Sequence, residues 1–106
     1  MAVVFEQRAQ LGPIDLRVEI YDSQGNAFDP YHIYYSFYGE DQLRGEWRVG
    51  VEKRYPTKEN IGKYYVGERL TAGFIPGGYF VQWIIQRTET SPLEVIKKQE
   101  FALIGY

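Results

Sequence analysis

The chain contains no cysteine. That excludes disulfides, thiolate metal sites and a cysteine nucleophile. It has a single histidine, His32, which follows Pro30-Tyr31 at a strand entry and reads as an ordinary strand-edge residue. No apolar run approaches the ~20 residues that a membrane span needs. Nor is there a basic excess: 12 Lys and Arg are scattered among 14 Asp and Glu, for a net charge of −2, so a nucleic-acid partner is not expected. The opening Met1-Ala2-Val3-Val4-Phe5-Glu6 has neither a basic start nor a sustained apolar stretch, so a signal peptide is not expected. Leucine is scarce, with only Leu11, Leu16 and Leu43 before residue 70.

Aromatics are abundant instead, with 10 Tyr, 6 Phe and 2 Trp in 106 residues. Aromatic and β-branched residues favour strands over helices. A chain of this length forms one domain, which buries roughly 60–70% of the surface its unfolded form exposes.

Ile14-Asp15-Leu16-Arg17-Val18-Glu19-Ile20-Tyr21 alternates apolar and polar residues without a fault. Successive strand side chains point to opposite faces, so residues 14–21 predict a strand burying Ile14, Leu16, Val18 and Ile20. Asp22-Ser23-Gln24-Gly25-Asn26 has turn chemistry. Further strands are expected at His32–Tyr38, over Trp47–Glu52, at Lys63–Leu70, at Tyr79–Thr88 and at Leu93–Ile104, with residues 55–62 as a connection. In the last strand the apolar set slips from Val95 to Ile96 and then Phe101, which predicts a bulge near Lys97-Lys98. Trp47, Tyr79 and Trp83 are expected in the core. Val3-Val4-Phe5 reads as an edge strand or an extended arm. Residues 1–13 are thus an N-terminal arm or edge strand, and residues 14–106 one all-β domain, a sandwich or a barrel.

The order of features narrows this. A strand ending in Asp22-x-x-Gly25 is followed by Ile33-Tyr34-Tyr35-x-Phe37, Arg54-Tyr55-Pro56, Gly62-x-Tyr64-Tyr65-Val66, Gly78-Tyr79-x-Val81-x-Trp83 and a closing strand around Glu100-Phe101. Over about residues 14–104 this resembles the small immunoglobulin-like domains of structural proteins of tailed bacteriophages, without the disulfide of antibody domains. Residues 78–83 resemble the sixth strand of such a sandwich and residues 99–103 the seventh. The resemblance implies an immunoglobulin-like β-sandwich of about seven antiparallel strands, with no catalysis, cofactor or metal. It also implies a free-standing virion protein, made in the host cytoplasm and docked on neck or collar, tail or head. Its partners would be other virion proteins, including copies of itself in a symmetric array, and some such domains are thought to bind sugars weakly.

The residue chemistry agrees with a binding role. Asp15, Glu19, Glu46 and Glu52 fall at outward strand positions, where solvated charge is expected. Asp22, Asn26 and Asp29 offer oxygens of the kind Ca²⁺ takes, yet Asp-x-x-Gly is commoner as a bare turn. Gly73, Gly77 and Gly78 precede a strand, whereas a phosphate cradle needs a helix start. The tyrosines stand out: Tyr34 and Tyr38 share a strand face with Ser36, and Tyr31 and Tyr55 lie beside strand ends. Half-exposed aromatics with a polar rim serve protein interfaces and sugar platforms alike, and Tyr34 and Tyr38 fit a core equally. The candidate interface is therefore Val3, Val4, Phe5, Tyr31, Tyr34, Tyr38, Tyr55 and Tyr106. An aromatic sugar platform is the alternative.

Overall fold

The computed structural model describes residues 3–41, 46–71 and 74–105; Tyr106, Gly73 and the side chains of Glu46, Trp47 and Glu52 lie outside what it describes. The described residues are all-β, with no helix. Eight strands run in chain order: β1 (Val3–Glu6), β2 (Arg17–Glu19), β3 (His32–Asp41), β4 (Glu46–Arg54), β5 (Thr57–Asn60), β6 (Lys63–Tyr65), β7 (Gly77–Gln86) and β8 (Leu93–Ile104). They form a five-stranded sheet, β1-β8-β7-β3-β4, and a three-stranded sheet, β2-β6-β5.

One core draws on both sheets. Tyr35, Phe37, Tyr79, Val81, Trp83, Ile85, Phe101 and Leu103 come from the large sheet, and Val18 and Tyr64 from the small one. Loop residues Leu11, Leu16, Val66, Leu70 and Phe74 close it. Tyr79 and Trp83 are buried as their alternation requires. Phe37 is the hub of the aromatic packing, with ring centroids 5.4 Å from Tyr35, 5.6 Å from Phe74 and 5.7 Å from Phe101.

The structure corrects four expectations. The strand over 14–21 shrinks to Arg17–Glu19. Asp15 does not point outward from a strand: its carboxylate accepts the Gly12 N–H at 2.8 Å and its own N–H donates to Gly12 O. That turn throws Ile14 into solvent, 86% exposed, while Leu16, Val18 and Ile20 stay buried. The connection at 55–62 contains β5, which pairs with β6 although all four of its residues are exposed. The strand expected over 63–70 ends at Tyr65; beyond it, bonds from Val66 N to Leu16 O and from Leu70 N to Ala9 O stitch an irregular segment to the N-terminal loop. Finally, not every pair is antiparallel, because β1 runs parallel to β8 with Val3 opposite Phe101 and Phe5 opposite Leu103.

The bulge in β8 is present. Trp83 pairs with Lys97 and Ile84 with Val95, leaving Ile96 as the extra residue. The Asp22 turn is present too: Oδ1 of Asp22 accepts the N–H groups of Gln24 and Asn26, both at 2.9 Å, and Gly25 takes φ +83°.

Candidate functional site

The two sheets present different outer faces. On the small sheet, Arg17 lies opposite Tyr65 and Glu19 opposite Lys63, and Arg17, Glu19, Glu59 and Lys63 form a chain of exposed ion pairs at 3.5–3.8 Å. Such pairs contribute little stability but keep a face wet. The large sheet's outer face is aromatic and aliphatic. Registry places Tyr38, Phe80 and Glu100 in one row, Ser36, Gln82 and Lys98 in the next, then Tyr34, Ile84 and Val95, and last His32, Gln86 and Leu93. Tyr38 and Phe80 stack with centroids 4.9 Å apart and planes 10° apart, and Lys98 Nζ lies 5.6 Å from the Phe80 ring. Ile84 is only 8% exposed although it points away from the core, screened by the larger side chains beside it. Leu93 and Val95 remain open to solvent.

At the His32 end of this face lies an open groove of about 310 Å³, lined by His32, Tyr34, Lys53, Tyr55, Gln86 and Leu93. Two register shifts in the β3–β4 ladder shape it: Tyr35 pairs with Arg54, Phe37 with Val51 and Tyr38 with Val49. Each shift inserts one extra residue into β4, which bends a strand and re-aims its side chains. Lys53 lies in the first and carries a left-handed φ of +25°, which costs a non-glycine residue of order 1–3 kcal/mol. That backbone brings Lys53 Nζ to 5.0 Å from the Tyr34 ring centroid. Tyr31 packs edge-on against His32 at 4.5 Å, and Tyr55 is 70% exposed.

The eight candidate residues therefore do not form one patch. Tyr34 and Tyr55 line the groove, Tyr31 packs against its His32, and Tyr38 lies along the same face. Val3 and Val4 are exposed on β1, the opposite edge of the sheet; four strand spacings put that edge roughly 19 Å from β4. Phe5 goes inward, packing edge-on against Phe101 at 5.7 Å. Phe80, Ile84, Val95, Leu93, Lys53 and Gln86 were not among the candidates. The signal for Phe80 and Ile84 lay in the run Tyr79-Phe80-Val81-Gln82-Trp83-Ile84-Ile85, whose second face carries these two apolar residues on either side of Gln82. Nothing in the sequence marks where Lys53 points.

The acidic loop residues serve the fold. Asp29 accepts hydrogen bonds from Gly62 N at 2.9 Å, Tyr64 Oη at 2.8 Å and Lys58 Nζ at 2.7 Å. The Gly62 amide first, then Lys58 and Tyr64, hold its carboxyl down at about 2. The Tyr64 hydroxyl is pushed up by burial and by its bond to Asp29. Tyr35, deeper in, donates to the Glu68 carboxylate and is pushed up in the same way. Among the described residues no group of three or more His, Asp or Glu is placed to hold a metal ion. A carboxyl with a lowered folded pKa contributes stability above its unfolded value near 3.9, and that contribution is lost as pH falls through the folded value. Acid titration of the wild type should therefore show a stability loss between about pH 4 and pH 2. Asp29→Asn should be less stable at pH 7 and lack that part of the acid limb, as measured by urea midpoints across the range.

Comparison with family models, with curated proteins and with solved structures gave no match.

Proposed function

We propose that this chain is a non-enzymatic, immunoglobulin-like β-sandwich serving as a structural protein of a tailed-phage particle, docked through the outer face of its five-stranded sheet. Strand order supports the fold. Lettered A′, B, C, C′, D, E, F and G in chain order, the strands give one sheet A′-G-F-C-C′ and one B-E-D, matching the division of strands in immunoglobulin domains. Tyr79, near the start of the F strand, donates its hydroxyl to Ile75 O at 2.6 Å, as the tyrosine corner of such domains does. Val81, two residues on, holds the place of the second cysteine of antibody domains and is fully buried. Hydrophobic packing replaces the disulfide.

The observation that carries the docking role is the pair Leu93 and Val95, open to solvent beside the half-buried Tyr38 and Phe80 on a sheet whose other face already has its core. Aromatic and aliphatic side chains on either side of a polar row, Ser36, Gln82 and Lys98, give the mixed composition of a non-obligate interface. The first occupant is a second copy. Lys98 and Glu100 alternate along the outer face of β8, so two copies meeting with these strands antiparallel bring each Lys98 opposite a Glu100. Burying Phe80, Val95 and Leu93 contributes about 1.5–3 kcal/mol each, against an association cost of about 4–15 kcal/mol. One contact is weak; repetition over a symmetric particle makes it hold. The virion setting rests on the resemblance of the residue pattern to phage domains.

Peptide mass spectrometry on purified particles from cells expressing the chain tests this reading. The expected result is a fixed ratio of its peptides to a major structural protein. Abundance in the lysate with absence from the particles would contradict it.

A further inference from the structure

Going beyond the docking role, we propose that the groove between Tyr34, Lys53 and Tyr55 binds a carboxylated sugar ring, a uronic or sialic acid residue of a glycan. Small-molecule sites occupy about 300–1,000 Å³, and this groove, at about 310 Å³, admits one compact ring. Among the described side chains its lining contains one cation, Lys53, and no carboxylate. Among the described residues no acid lies within ion-pair distance of Lys53 Nζ; its partner is the face of Tyr34. The left-handed backbone that aims it there is rare in this fold: Lys53 and Arg8 are the two described non-glycine residues with positive φ. A lysine held in a strained backbone over an aromatic face, at the wall of a groove, is placed to meet an anion.

The rest of the lining selects a sugar over other anions. An aromatic face is negative and attracts the polarised C–H face of a pyranose. Tyr55 offers such a ring, and Leu93 forms an apolar wall. His32, the tyrosine hydroxyls and Gln86, whose amide is fixed by donation to Glu89 O at 2.9 Å, supply polar partners for several hydroxyls. A flat aromatic acid would leave those groups unmatched. An acidic peptide adding as a strand is also disfavoured, because the double bulge breaks the regular row of backbone groups along β4.

The test is titration of the ¹⁵N-labelled protein with methyl β-glucuronide, with methyl β-glucoside, which differs only at the carboxylate, and with N-acetylglutamate, which keeps the charge without the ring. The glucuronide should give saturable shifts confined to amides around residues 32–34, 53–55 and 86, with a Kd about tenfold or more below that of the glucoside, the scale of one charge-assisted hydrogen bond. Lys53→Gln should abolish that preference with the remaining spectrum unchanged, and Tyr55→Ala should lose both sugars. Equal binding of the two sugars, N-acetylglutamate shifting the same amides as tightly as the glucuronide, or no saturable shift at the highest soluble concentration would each overturn the proposal. Leu93 belongs to both surfaces, so the titration is repeated on Phe80→Glu with Val95→Glu: sugar binding by that variant separates the groove from the docking role, and its absence in both proteins overturns the groove alone.

Discussion

Replacing Phe37 by Ala should destabilise the domain by about 3–5 kcal/mol, the range for large aromatic truncations in a packed core. Phe37 is fully buried and its ring meets Tyr35, Phe74 and Phe101, so one deletion removes three aromatic contacts and leaves a cavity walled by β3, β8 and the loop ahead of β7. Domains of this size hold together by about 5–15 kcal/mol in total. The loss takes about a fifth or more of that and lowers the melting temperature by more than about 12 °C. Urea unfolding measures it directly. The contrasting variant is Ile14→Ala, which a continuous strand over 14–21 would make costly and which the observed turn makes neutral to within about 0.5 kcal/mol.

The second large effect is expected at Gly62, in the turn between β5 and β6. Its φ is +69°, and a Cβ there would stand 2.7 Å from Ile20 O and 3.0 Å from both N and O of Phe28. Those atoms are backbone and already committed: Ile20 N donates to Gly62 O at 2.8 Å, and Phe28 N to Ile20 O at 3.2 Å. Relieving the clash means opening that junction, so Gly62→Ala combines left-handed strain with lost hydrogen bonds, about 2–4 kcal/mol in all. Gly25 provides the internal control. It has a similar φ of +83° with nothing within 4 Å of its missing Cβ, so Gly25→Ala should cost only the strain, about 1–2 kcal/mol. A Gly62 variant no worse than the Gly25 variant would contradict the packing described at this junction.

Strict alternation made the buried set Leu16, Val18 and Ile20 legible, as it did β3, β7 and the slip in β8. It misled at Ile14, because a local Asp15–Gly12 turn outcompetes pairing where no neighbouring strand extends far enough to reward it. β5 was invisible for the opposite reason: Thr57–Asn60 is exposed throughout and belongs to the sheet only through its backbone. The parallel pairing of β1 had no sequence signature, since register between residues 3 and 101 is set by tertiary packing. For the site, Tyr34 and Tyr38 announced a face, but their partners Phe80 and Ile84 were masked by the stronger core series Tyr79, Val81, Trp83 and Ile85. The groove depends on two backbone bulges in β4, and bulges of that kind leave no pattern in side-chain type.

The central claim is that the outer face of the five-stranded sheet is a contact surface, and the most direct test is the solution mass across a concentration series. Wild type should pass reversibly to a discrete oligomer as concentration rises, while Phe80→Glu with Val95→Glu stays monomeric throughout and keeps a far-UV spectrum of the same all-β form. Wild type and variant with the same mass at every concentration would contradict the claim.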